Sequence, residues 1–103
     1  MNVLRVDRTQ FLVAILQTTV IVSRRRQAKA VFTFGDGFLK IKVANNTCEI
    51  HADGDWPGTA KIRADFLLKV LDPPPVTDPV TLTVRDGRFY MERVGTVCEW
   101  TPH

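Results

Sequence analysis

The feature that most constrains the fold of this chain is a hairpin pattern that occurs twice. Residues 31 to 43 read VFTFGDGFLKIKV, and residues 80 to 92 read VTLTVRDGRFYME. Each segment alternates apolar and polar residues on both sides of an Asp-Gly turn, which is typical of an antiparallel hairpin with one buried face. An isolated hairpin cannot bury that face. We therefore expect the two hairpins to share one sheet.

The segments around the hairpins also follow the same order twice. NVLRV predicts a strand, and Asp7 followed by Gln10 predicts the capped start of a helix. In the second half TAKIR predicts a strand, and ADFLLKVL a short helix that ends at DPPP because proline cannot continue a helix. TCEIHA and TVCEW predict the third strand after each helix and place Cys48 and Cys98 at matching positions.

The sequence thus predicts one α+β domain over residues 1–103. It consists of two β-α-β-β-β repeats, about residues 1–52 and 59–100, related by a pseudo-twofold axis. Both helices are expected to pack on one face of a curved antiparallel sheet, because neither half can bury its apolar face alone.

The first helix has more apolar residues than one buried stripe needs. The stripe predicted from helical spacing consists of Leu12, Ile15, Leu16 and Thr19. Apolar residues outside it are Phe11, Val13, Ala14, Val20 and Ile21. A helix that is apolar all round is normally buried all round. We expect Val13, Ala14, Val20 and Ile21 to contact a partner, most simply another copy of the chain. A surface helix with scattered apolar residues is the alternative.

Composition excludes several classes of protein. The chain has 45% hydrophobic and 24% charged residues, as globular domains do. No segment approaches the ~20 apolar residues of a membrane span, and no signal peptide is evident, so we expect a soluble cytoplasmic protein. The two cysteines lack metal-ligand spacing, and no Cys-His or Ser-His-Asp pattern occurs. We expect no enzymatic activity, no metal and no cofactor.

Several segments together resemble a domain of the bacterial DNA polymerase sliding clamp, the β subunit of DNA polymerase III. VDRTQFLVAIL resembles the opening strand and helix of such a domain, and VFTFGDGFLKIKV the hairpin that follows. TAKIRADFLLKVLDPPP and PVTLTVRDGRFYMERVGTVCEW resemble its second half. The resemblance lies in the order and spacing of elements. It covers nearly the whole chain.

The resemblance implies a processivity factor for DNA replication or repair. Six such domains form a ring in that family, with helices lining the hole around duplex DNA, so about six copies of a single-domain chain would be needed. Replication or repair proteins are the implied partners. The residues expected to contact DNA are Arg24, Arg25, Arg26, Gln10, Gln17 and Lys69. The three arginines form the main basic cluster, and a solvated loop is the alternative reading of it.

A second function class fits the same fold. The predicted open side of the first helix has almost no charge, and that of the second has Asp65, Lys69 and Asp72, whereas a helix that lines DNA is expected to be rich in Lys and Arg. The alternative is therefore a protein interaction or self-assembly module without DNA binding. A further basic patch is expected on the sheet, although Lys on strands also discourages edge pairing. Its residues are Lys40, Lys42, Lys61 and Arg63.

Overall fold

Nine strands and two helices make up the described part of the chain. A computed structural model describes residues 2–19, 28–71 and 74–103. The elements are β1 (Asn2–Val6), α1 (Arg8–Thr18), β2 (Lys29–Gly35), β3 (Phe38–Val43), β4 (Asn46–Asp55), β5 (Gly58–Arg63), α2 (Asp65–Lys69), β6 (Val80–Arg85), β7 (Arg88–Met91), β8 (Val94–Val97) and β9 (Glu99–Pro102). No helix within the described ranges is long and apolar enough to cross a membrane.

Both predicted hairpins are confirmed, and their turns have the same backbone geometry. Asp36 and Gly37 have φ values of 53° and 81°, and Asp86 and Gly87 have 52° and 74°. Two consecutive residues with positive φ make the tight turn whose twist matches that of the flanking strands. Aspartate and glycine tolerate this conformation, which is why the Asp-Gly pairs determine where each hairpin reverses.

All strands belong to one antiparallel sheet in the order β8-β7-β6-β1-β4-β3-β2-β5-β9. The two halves of the chain interleave in this order. The strand β1 pairs with β4 from its own half and with β6 from the other half. In the same way β5 pairs with β9 and with β2. The protein is thus a small α+β domain in which each half contributes strands to the neighbourhood of the other.

The third strand after each helix changes partner along its length. Residues 46–51 of β4 pair with β3, and residues 52–55 pair with β1. In the second half β8 pairs with β7 and β9 pairs with β5, and only Cys98 separates them. At the change of partner the backbone N–H of Ala52 donates to the carbonyl of Gly37 at 3.0 Å. The N–H of Cys98 donates to Gly87, also at 3.0 Å.

The expected match between Cys48 and Cys98 is therefore wrong. The residue that makes the same contact as Cys98 with its turn glycine is Ala52. The difference arises because β7 has four residues whereas β3 has six. The chain therefore turns back from β7 into β8 two residues earlier than it turns back from β3 into β4, and both paired strands are two residues shorter.

The core is formed by alternate residues of the strands together with residues of both helices. Phe89 of β7 is fully buried and lies at its centre, with ring centroids 5.0 Å from Phe32, 6.2 Å from Trp56 and 6.2 Å from Phe66. The indole N–H of Trp56 donates to the carbonyl of Phe32 at 3.3 Å. Rings from both halves of the chain and from α2 thus pack around one residue, and the apolar surface of each half is covered by the other.

The helix α1 begins as predicted but buries a stripe one residue away from the expected one. The Asp7 carboxylate accepts the backbone N–H of Gln10 at 2.8 Å, which confirms the N-cap. The buried residues of α1 are Phe11, Ala14, Ile15 and Thr18. Leu16 is 59% exposed and Leu12 half-buried, so the predicted stripe is wrong at both positions. The small Ala14 lets the helix approach the sheet, and the Thr18 hydroxyl donates within the helix, to Ala14 at 2.8 Å.

Candidate interaction surfaces

The open face of α1 is uncharged and partly apolar. Val13 and Leu16 are 47% and 59% exposed, and Gln10 and Gln17 are exposed on the same side. No charged residue occurs between Thr9 and Thr19. The Cys48 thiol donates to the Gln17 side-chain oxygen at 3.4 Å, which links this face to β4.

The structure places the residues predicted from the first helix as follows. Gln10, Gln17 and Val13 share the open face, as expected. Ala14 is 1% exposed and packs in the core, so its predicted role in an interface is wrong. The predicted interface residues Val20 and Ile21 lie outside the described residues, and so do the predicted DNA contacts Arg24, Arg25 and Arg26.

Among the described strands, β8 and β9 are the two ends of the sheet, and each part of β4 has a neighbouring strand on one side only. Residues 46–51 of β4 have β3 on one side only, and β8 has β7 on one side only. Val94 and Val97 of β8 are 54% and 70% exposed. An edge strand with exposed apolar side chains and no Lys or Pro is a template for pairing with another strand.

A groove of about 720 Å³ runs beside the β8 edge. Its lining residues include Lys69 of α2, Pro75, Val76, Arg93 and Val94. The predicted DNA contact Lys69 is exposed on α2 and lines this groove. The Glu92 carboxylate at the rim is already engaged, because it accepts the Thr77 hydroxyl and the Thr81 N–H, both at 2.7 Å.

The predicted basic patch lies on the outward face of β5, β2 and β3. In the strand register Val31 of β2 lies between Lys61 of β5 and Lys42 of β3. One step along the same strands Lys29 lies opposite Arg63. Three of these cations have acidic neighbours: Arg63 contacts Asp65 at 3.0 Å, Lys40 contacts Glu49 at 3.7 Å, and Lys61 lies opposite Glu99 in the strand register. We refer to Lys29, Lys40, Lys42, Lys61 and Arg63 as the basic sheet face.

Sequence reasoning missed an aromatic slot at one end of this face. The Phe38 ring stacks on His51 with centroids 4.5 Å apart and planes 35° apart. The cross-strand partner of Phe38 is Gly35, and a side chain added to Gly35 would meet no atom within 4 Å. The resulting cavity of about 330 Å³ is also lined by Thr33, Asp36, Lys40 and Glu49. The signal that predicts it is the glycine opposite a phenylalanine across the Asp-Gly turn.

Little in the described residues indicates covalent or metal chemistry. Across residues 2–19, 28–71 and 74–103 no group of three or more His, Cys, Asp or Glu residues is placed to hold a metal ion. Burial raises the pKa of the Cys98 thiol, and the nearby Glu99 charge acts in the same direction, although a hydrogen bond with the Lys61 backbone opposes them. A thiol that holds its proton is a poor nucleophile.

Comparison with protein-family models, with curated proteins and with solved structures finds no match to this chain.

Proposed function

We propose that this chain is a clamp-like, non-enzymatic assembly domain built from two β-α-β-β-β repeats. The observation that carries the proposal is the strand pairing. The pairings of the two halves correspond when β1 is matched with β5, β2 with β6, and β3 with β7. Under this matching the β1–β6 pair corresponds to the β5–β2 pair, and the β2–β3 pair corresponds to the β6–β7 pair. The two parts of β4 then correspond to β8 and β9, with Ala52 and Cys98 at the equivalent change of partner.

This correspondence supports the proposal of a pseudo-twofold axis. In the proposal the axis relates the β1–β6 contact to the β5–β2 contact, and it relates α1, which follows β1, to α2, which follows β5. Buried residues of both helices belong to one core cluster with the inward residues of the sheet. This supports the arrangement implied by the resemblance to sliding clamps, with both helices on one face of a curved sheet, and repeats over about residues 1–52 and 59–100.

Assembly is proposed to occur through two of the open edges, those of β8 and of residues 46–51 of β4, because the edge of β9 contains Pro102, which cannot donate a ladder hydrogen bond. The β8 edge of one copy pairs with residues 46–51 of β4 in the next copy, so the two surfaces in each contact are different. Head-to-tail contacts close into a ring when the rotation between neighbouring copies is a whole fraction of 360°. About six copies complete a clamp-like ring. The exposed Val94 and Val97 become buried in the contact, because strand pairing brings neighbouring side chains within contact distance.

Molar mass in solution, measured by light scattering during gel filtration, tests this proposal. Wild-type protein is expected to form oligomers, and Val97→Lys is expected to dissociate them because it places a charge on the pairing edge. Val76→Lys is the matched control, since Val76 is 87% exposed but is not part of a strand. A wild-type chain that is monomeric at high concentration contradicts the proposal, and so does a Val97→Lys variant with unchanged mass.

Duplex DNA contact within such a ring is the second candidate function. Gln10 and Gln17 support it, because their exposed amides share the helix face that points to the hole in a sliding clamp. The remaining support comes from the sequence, with a net charge of +3 and the run Arg24 to Arg26. A ring of several copies multiplies weak contacts, so even a sparsely charged face binds DNA with useful avidity. Replication or repair proteins are then the expected partners.

Substituting all three arginines by alanine tests the DNA candidate. Binding to duplex DNA is expected to weaken, and the slope of log affinity against log salt to fall by about 0.9 for each phosphate that the variant no longer neutralises. Unchanged affinity and slope would rule out these arginines as the contact site. The same variant is expected to keep its oligomeric mass, which separates DNA binding from assembly.

A further inference from the structure

We infer that the outward face of β5, β2, β3 and β4 binds single-stranded nucleic acid. In this inference a base stacks on Phe38 in the slot above Gly35, and the phosphates follow the basic sheet face. The surface is separate from the β8 edge and from the open face of α1, and it uses the outward side chains Glu49 and His51 of β4, whose backbone edge is open. Binding there goes beyond the assembly function proposed above and does not depend on it.

The spacing of the cations suits a chain of phosphates. Lys61 and Lys42 flank Val31 across two strand intervals, which is about 10 Å, and Lys61 and Arg63 are about 6.6 Å apart along one strand. Lys29 and Lys42 have no acidic group within salt-bridge distance among the described residues. Lys29 also lies directly opposite Arg63, whose charge is partly offset by Asp65 at 3.0 Å.

The slot supplies the contact that a base requires. Phe38 is 39% exposed, and His51 stacks on it. Above its cross-strand neighbour Gly35 there is open space, where a planar group can lie against the ring. The polar rim has an acceptor on Asp36 and the exposed ion pair of Lys40 with Glu49 at 3.7 Å, and these groups suit the exocyclic amino and carbonyl groups of a base. Stacking on an aromatic side chain changes affinity by about 5- to 100-fold per base.

The combination favours a single strand over a duplex. In a duplex the base faces are stacked on one another, so the Phe38 ring has no base face to contact, and only the cations contribute. An unpaired strand exposes both its bases and its phosphates, and proteins that bind such strands combine a basic track with exposed rings. The Phe38 slot and the cations lie on the same face of neighbouring strands, which is the juxtaposition that this mode of binding needs.

Fluorescence anisotropy with a labelled, mixed-sequence single strand tests the inference on the full chain. Phe38→Ala and Gly35→Val are expected to weaken binding by about 5- to 100-fold with little change in salt slope. Gly35 has an ordinary backbone conformation with open space beside it, so valine fills the slot without strain. Lys42→Ala and Lys61→Ala are expected to lower the salt slope by about 0.7 each.

Arg88→Ala is the matched control, because Arg88 is an exposed cation on β7, outside the proposed surface. It is expected to bind like the wild type. Thermal melting of each variant shows whether the fold is kept. Phe38→Ala removes the ring and Gly35→Val fills the slot, so weaker binding by both variants is not explained by misfolding of one of them. The inference is overturned if wild type binds no single strand, if neither slot variant weakens binding, or if a duplex of the same sequence binds more tightly.

Discussion

Replacing Phe89 with alanine tests whether the two halves depend on one shared core. The side chain is fully buried and contacts rings from β2, from the β4–β5 connection and from α2. Phe-to-Ala changes in cores cost about 3–5 kcal/mol. A domain of this size has a total unfolding free energy of about 5–15 kcal/mol. Since about 1 kcal/mol corresponds to at least about 4 °C here, we expect the melting temperature to fall by about 12 °C or more.

Urea unfolding followed by far-ultraviolet circular dichroism measures the free energy directly. Phe38→Ala is the matched control, because the same change at a half-exposed outward position is expected to cost less than about 1 kcal/mol. A loss below about 1 kcal/mol for Phe89→Ala would refute the reasoning. Two separate unfolding transitions in the wild type would refute it as well, since halves that share a core unfold together.

Three further perturbations follow from single positions. Gly54→Ala is expected to lower stability by more than about 1 kcal/mol in urea unfolding, because Gly54 has φ of 143° and an added Cβ overlaps the Val3 carbonyl. Asp7→Ala removes the cap of α1 and is expected to cost about 0.5–2 kcal/mol in the same assay. Because burial raises the pKa of Cys98, a thiol reagent at pH 8 is expected to modify Cys48 first, as mass spectrometry of peptides will show. The folded state keeps the Cys98 proton longer than the unfolded state, so stability is expected to fall above the ordinary thiol pKa of about 8.5, less so in Cys98→Ala.

Local features of the fold could be predicted, because short segments determine them. The Asp-Gly turns require two consecutive positive φ angles, and few residue pairs tolerate these. The order of strands could not be predicted in the same way. The neighbours β1 and β6 are formed by residues about eighty positions apart, such as Leu4 and Leu82, and alternation alone does not identify which strands pair.

Which side of α1 is buried could not be predicted from the sequence either. Phe11, Leu12, Ile15 and Leu16 are all apolar, so two stripes one residue apart have nearly the same hydrophobicity. Packing decides between them, and it buries Phe11 and the small Ala14 while leaving Leu16 59% exposed. The basic sheet face was largely predictable, since alternation placed its lysines outward. The slot was missed, because its other wall depends on the pairing of Phe38 with His51 on β4, and no Asp-Gly turn sets the register of that pair.

The interleaving of the strands has a consequence for how the chain can be divided. Because β1 is hydrogen-bonded to β6 and β5 to β2, neither half retains a complete neighbourhood when the other is removed. Two peptides produced by cleavage within the Trp56–Pro57 connection are therefore expected to be unfolded separately and to reconstitute the domain when mixed.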